Sequence, residues 1–109
     1  MAAMKRSAGR PSIRTPETAE AICEAIANGK SLYRILARAG MPSYSSVCDW
    51  LRDDRGFQEQ YARAREAQAE LLAWEMIKIA DGPGDVRRNR LRIYARMWYA
   101  GKLHPKKYG

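Results

Sequence analysis

The sequence has two cysteines, one histidine, one phenylalanine and two valines in 109 residues, and each scarcity removes a class of protein. Cys23, Cys48 and His104 are too few and too scattered to build a tetrahedral metal site, so no metal is expected. Two widely spaced thiols do not make a disulfide framework; they read as reduced intracellular cysteines, with Cys23 in a core. No apolar run approaches the about 18 residues of a membrane span, and no hydrophobic stretch near the N-terminus reads as a secretory signal. There is no phosphate-cradling Gly-rich loop ending in Gly-Lys-Ser/Thr, no His-Glu-x-x-His and no nucleophile paired with a base. An enzyme is therefore not expected, and neither is a cofactor. Long alternating runs are also missing, whereas Ala, Leu, Ile, Arg and Glu are abundant, which favours helices over sheets.

What is present in excess is positive charge. The formal net charge is +8, and it sits at the two ends. Residues 1–14 carry Lys5, Arg6, Arg10 and Arg14 with no acid; residues 15–56 have net charge −1, residues 57–81 net −2, and residues 82–109 net +7. A polyanion is the partner this implies, and nucleic acid fits better than an anionic membrane, because no strongly amphipathic basic helix stands alone.

Helix signals divide the chain. Thr15-Pro16-Glu17 reads as a helix start, followed by Ala19, Ile22, Cys23 and Ile26 at one-face spacing and closed by Asn28-Gly29. Ser31 caps a second helix with the stripe Leu32, Ile35, Leu36 and Ala39, ending at Gly40. Ser43 caps a third with Val47, Trp50 and Leu51 inward, which ends in Asp53-Asp54, acids that oppose its dipole and read as solvated. A fourth helix is expected over roughly 57–80, its first half apolar on the Phe57, Tyr61 and Ala64 side only. From Leu71 to Ala80 it is apolar around most of its circumference and must be covered on several sides. Self-association is the preferred explanation, with Leu71, Trp74 and Ile77 at the interface. After the turn Asp81-Gly82-Pro83-Gly84-Asp85, a fifth helix is expected over about 86–101, antiparallel to the fourth, closed by Gly101 and followed by a short basic tail in which His104 is exposed. The expected organisation is a basic flexible arm (1–15), a helix-turn-helix unit (16–56), a helical-hairpin oligomerisation unit (57–101) and a basic tail (102–109).

Three constellations could carry function. The second and third helices, joined at Gly40-Met41-Pro42, have the form of a helix-turn-helix, though an ordinary three-helix bundle fits the same pattern. With Val47, Trp50 and Leu51 inward, Ser45, Asp49 and Arg52 face out and Tyr44 flanks them; Tyr44, Ser45 and Arg52 are the DNA-contact candidates, and Asp49 repels phosphate unless it accepts from a cytosine amine. The arm, Lys5-Arg6-Ser7-Ala8-Gly9-Arg10-Pro11, matches either a minor-groove arm or a solubilising tail; as an arm it adds Lys5, Arg6, Arg10 and Arg14 to the DNA contacts. Arg88, Arg92 and Arg96 form a strip on the fifth helix, read either as phosphate-facing or as an ion-pair face against Glu59, Glu66 and Glu70. Arg92 and Arg96 are assigned to the oligomer interface on the second of these readings.

Ala8-Gly9-Arg10-Pro11-Ser12, the run Gly40 to Leu51, Phe57 with Tyr61-Ala62-Arg63-Ala64, Arg90-Leu91-Arg92, Ala95-Arg96-Met97-Trp98 and Pro105-Lys106-Lys107-Tyr108-Gly109 together resemble the small subunits of phage terminases. The resemblance covers almost the whole chain in order. It implies a non-enzymatic DNA-packaging factor in the cytoplasm of an infected bacterium, forming rings of roughly eight to ten subunits. It further implies recognition of the packaging site on double-stranded viral DNA, and recruitment and regulation of the large terminase subunit, which holds the ATPase and nuclease. Asp49 departs from the family pattern, where that position is often basic, and members commonly continue past Tyr108-Gly109. A helix-turn-helix transcription regulator, typically a dimer, is the alternative.

Overall fold

The computed structural model describes residues 15–109, and among these the chain is all-α, with no strand. Local chemistry sets the helix starts. Thr15, Ser31 and Ser43 each accept a hydrogen bond from the backbone N–H three residues on, opening α1 (Pro16–Ala27), α2 (Leu32–Leu36) and α3 (Tyr44–Asp53). A side-chain oxygen at this position satisfies one of the donors that a helix N-terminus leaves unpaired. α1 stops because Gly29 adopts φ +99°, letting Lys30 N–H reach Ala25 O at 3.0 Å and Gly29 N–H reach Ile26 O at 2.9 Å. A Cβ at Gly29 would also stand 3.1 Å from the Leu71 side chain, so this turn is fitted against a helix far along the chain.

Three expectations change. α2 ends at Leu36, and Ala39 is exposed in the turn that follows, where Arg38 N–H bonds back to Ile35 O. Asp54 does not merely close α3: its carboxylate accepts from Phe57 N–H at 3.0 Å and caps α4 (Arg55–Asp81), where a negative charge suits the helix dipole. Gly101 lies inside α5 (Val86–Leu103), and the tail is not loose but forms a last short helix, α6 (Pro105–Tyr108). Gly101 suits that position because a Cβ would stand 3.1 Å from the Tyr108 carbonyl oxygen, a contact tight enough to push α6 outward slightly.

α4 belongs to two cores. Its first turns pack with α1, α2 and α3 around Ile22, Ile26, Ile35, Val47 and Phe57, all buried. Phe57 is 1% exposed and meets Trp50 edge-on at 5.9 Å between ring centres and Tyr61 at 5.8 Å. Further along, Ala69 lies against Ala100 and Leu103 of α5, with Leu72 and Tyr108 at the margin. Ala69 and Ala100 are both fully buried, and their small side chains permit close approach of the two helices. The Arg96–Glu75 contact and the Arg65 bond to the Lys102 carbonyl fix an antiparallel order. Burial pushes the Cys23 thiol up to about 11, as suits an unreactive core cysteine.

Phe57 anchors the first core, so Phe57→Ala is expected to lower unfolding free energy by about 3–5 kcal/mol. Tyr33→Ala, at a site 85% exposed, should change it by less than about 0.5 kcal/mol. Urea denaturation of the two variants beside the parent chain measures both.

Candidate nucleic-acid interface and assembly surface

Residues of α3 expected to meet DNA are exposed, but the central one is occupied. Arg52 donates to Asp49 Oδ1 at 2.9 Å and to Asp53 Oδ1 at 3.2 Å. Both acids are themselves largely exposed, so the outward face of α3 presents one cation already held between two anions. Tyr44 is 65% exposed at the start of the helix, and the neighbouring Cys48 thiol raises the pKa of its phenol. Ser45 is exposed, with its hydroxyl 3.4 Å from that of the capping Ser43. Lys5, Arg6, Arg10 and Arg14, assigned to a DNA-contacting arm, lie outside the described residues.

Within the N-terminal helices, the sequence pattern directed attention to the outward face of α3 and away from three cations around α2. Lys30, Arg34 and Arg38 lie on and around α2, all exposed. No acid lies within ion-pair distance of them among the described residues, and residues 1–14 contain none. The signal was available as a four-residue spacing bracketing the Ser31 cap.

The hairpin of α4 and α5 carries the second surface. Trp74 and Ile77 on α4 are each more than half exposed, and so are Leu91, Tyr94 and Trp98 on α5. The α5 residues that turn toward α4 are Asn89, Ile93, Arg96, Ala100 and Leu103, so Leu91, Tyr94 and Trp98 fall on the far side of that helix. Of the five residues assigned to an oligomer interface, Leu71 is half-buried beside Gly29 of its own chain, and Trp74 and Ile77 are uncovered. Arg92 donates to Asn89 Oδ1 at 3.2 Å. Arg96 pairs with Glu75 of the same chain at 2.8 Å, not with Glu66 or Glu70.

Glu66 and Glu70 are instead turned to the C-terminal segment. Lys107 pairs with Glu70, and the Tyr108 hydroxyl donates to the same carboxylate oxygen at 3.1 Å. His104, expected to be exposed, is half-buried, edge-on to the Tyr108 ring, with Nε2 4.0 Å from Glu66. Arg65 donates to the Lys102 carbonyl at 3.3 Å, so α4 holds the end of α5 and α6 by side-chain contacts as well as by packing. Among the described residues no group of three or more His, Cys, Asp or Glu could hold a metal ion, and no helix is long and apolar enough to cross a membrane.

The family described as bacteriophage Sf6, terminase small subunit-like, matches residues 14–109. Solved structures of the terminase small subunit gp1 of the bacterial virus Sf6 superpose on the chain. An arginine-to-alanine variant gives a TM-score of 0.71 at 39% identity, covering 91% of this chain and 79% of that one. An aspartate-to-arginine variant gives 0.70 at 37% identity, and a lysine-to-glutamate variant 0.71 at 39%, each with the same coverage. Among curated proteins none matches. The chain belongs to the Sf6-like family of phage terminase small subunits. That family is one of generally non-catalytic DNA-packaging proteins.

The C-terminal clasp yields a pH prediction. Lys107, then Tyr108, hold the Glu70 carboxyl below its ordinary value of 4.5. A depressed carboxylate contributes fully above its unfolded pKa, and the contribution is lost as pH falls through the lowered folded value. Residues 105–109 should therefore keep the full Glu70 contribution to docking down to pH 4.5 and become more mobile below it, while the packing of Tyr108 remains. Sharper backbone NMR signals from that segment report the change, and Glu70→Gln is expected to abolish that acid transition.

Proposed function

We propose that this protein is the DNA-recognition component of a phage packaging machine. Residues 16–56 act as its helix-turn-helix unit, with the basic arm 1–15 as a further DNA contact. Residues 57–101 form an oligomerisation unit, followed by the basic tail 102–109. It assembles into a ring of roughly eight to ten subunits. It binds double-stranded viral DNA at the packaging site and recruits and regulates the large subunit, in the cytoplasm of the infected host cell. The membership of the chain in a family of packaging small subunits supports the DNA and large-subunit roles.

The observation that carries the assembly reading is that, among the described residues, the hairpin leaves two apolar faces exposed, Trp74 with Ile77 on α4 and Leu91, Tyr94 and Trp98 on α5. A symmetric dimer covers one kind of face and leaves the other in water. A contact between the α5 face of one copy and the α4 face of the next covers both, and repeated with closure it makes a ring. Charge favours the same pairing: residues 57–81 have net charge −2 and residues 82–109 net +7, so α4 against α5 brings opposite signs together. Burying each of these large side chains contributes about 1.5–3 kcal/mol, repeated at every interface.

The test is Trp74→Glu and Trp98→Glu, each spoiling one face, followed by sedimentation velocity. Each variant alone should be a helical monomer. Mixed, they should form only pairs, because each retains the face the other lacks. If both variants keep the parental mass, the interface lies elsewhere, and a parent that is itself a stable dimer overturns the ring.

A further inference from the structure

Within the DNA-binding reading, on which this inference rests, the two sides of the N-terminal helical unit are not equivalent. We infer that DNA phosphates are met along the α2 edge, by Lys30, Arg34 and Arg38 with Tyr33 and Tyr44 beside them, and not by the outward face of α3. The available charges differ between the two sides. Residues 15–56 contain five cations: Lys30, Arg34, Arg38, Arg52 and Arg55. Arg52 is held by Asp49 and Asp53, and Arg55 Nε lies 3.6 Å from Glu59. A guanidinium already bonded to a carboxylate must give up that bond before it can serve a phosphate, and the freed carboxylate then repels the same phosphate. The three α2-edge cations have no such cost.

Shape points the same way. Tyr33 and Tyr44 are 85% and 65% exposed, and they flank a shallow apolar groove lined by Leu36, Ala37, Pro42 and Ser43. Pro42 is buried and Gly40 takes φ +84°, so the turn that joins α2 to α3 is fixed by its backbone. This holds the two tyrosine rings on either side of the groove, next in sequence or across the turn from the cations, with the Tyr44 hydroxyl bonded to Cys48. Contacts of cations with phosphate position a protein on a duplex without reading its sequence. Asp49 and Asp53 then have a role: they keep α3 from binding phosphate indiscriminately and leave the α2 edge as the side that docks.

The experiment compares the full chain with three variants on a random-sequence 30-base-pair duplex, by fluorescence anisotropy across a salt series. Circular dichroism and particle mass confirm that each variant keeps its fold and assembly. The triple variant Lys30→Ala, Arg34→Ala, Arg38→Ala should bind at least about tenfold more weakly, and the slope of log affinity against log salt should flatten by about 2.7 for each subunit engaged. Arg34→Lys with Arg38→Lys should keep the parental slope, since the charges remain. Arg52→Ala should stay within about twofold of the parent, because α3 is turned away from the duplex and the two exposed acids it frees are screened by salt. If the triple variant binds like the parent while Arg52→Ala loses tenfold, α3 faces the phosphates and the inference is overturned. If the parent protein shows no salt-dependent binding at all, the DNA-binding reading itself falls.

Discussion

One helix must satisfy three neighbours at once, and the rest of the molecule follows from how it does so. α4 begins in the core of the N-terminal helices, where Phe57 fills the space between α1 and α3. The same helix then runs on into the hairpin, where Ala69 meets Ala100. Because 27 residues of uninterrupted helix span about 40 Å, movement of the N-terminal unit against the hairpin must bend α4 or break one of its two cores. The third side of α4, bearing Trp74 and Ile77, is left exposed by the other described helices. Among the described residues no other element covers it, and the proposed assembly of copies would.

Charge is divided as economically as apolar surface. Acids on α3 hold Arg52, Glu75 holds Arg96, and Glu70 holds the C-terminal clasp through Lys107. The cations left without an acid on the N-terminal unit lie along α2, while α5 keeps Arg87, Arg88 and Arg90 exposed. The excess positive charge is thus not a uniform coat. It consists of particular side chains that the fold leaves uncommitted, and these are the ones available to a polyanion.

Helix starts were legible because capping is local. Thr15, Ser31, Ser43 and Asp85 accept from the residues three ahead, as their sequence contexts suggest. The all-α class and the inward stripe of α3 followed from composition and spacing in the same way. Asp54 was read for the wrong helix, since an acid between two helices suits the end of one poorly and the start of the next well, and sequence alone does not apportion it. α6 was missed because four residues carry no periodicity, and what orders them is a carboxylate 38 residues away. The conflict between Asp49 and phosphate was legible in the sequence, but that Arg52 is held by Asp49 and Asp53 while the cations around α2 are not depends on which side chains reach one another.

The claim on which the account turns is that the chain is incomplete until copies of itself cover both faces of the hairpin. Light-scattering mass of the unmodified protein, measured over a hundredfold range of concentration, tests it most directly. The account predicts one closed particle of many subunits whose mass holds steady across that range. A monomer that remains monomeric at the highest concentration, with Trp74 and Trp98 still in water, would contradict it.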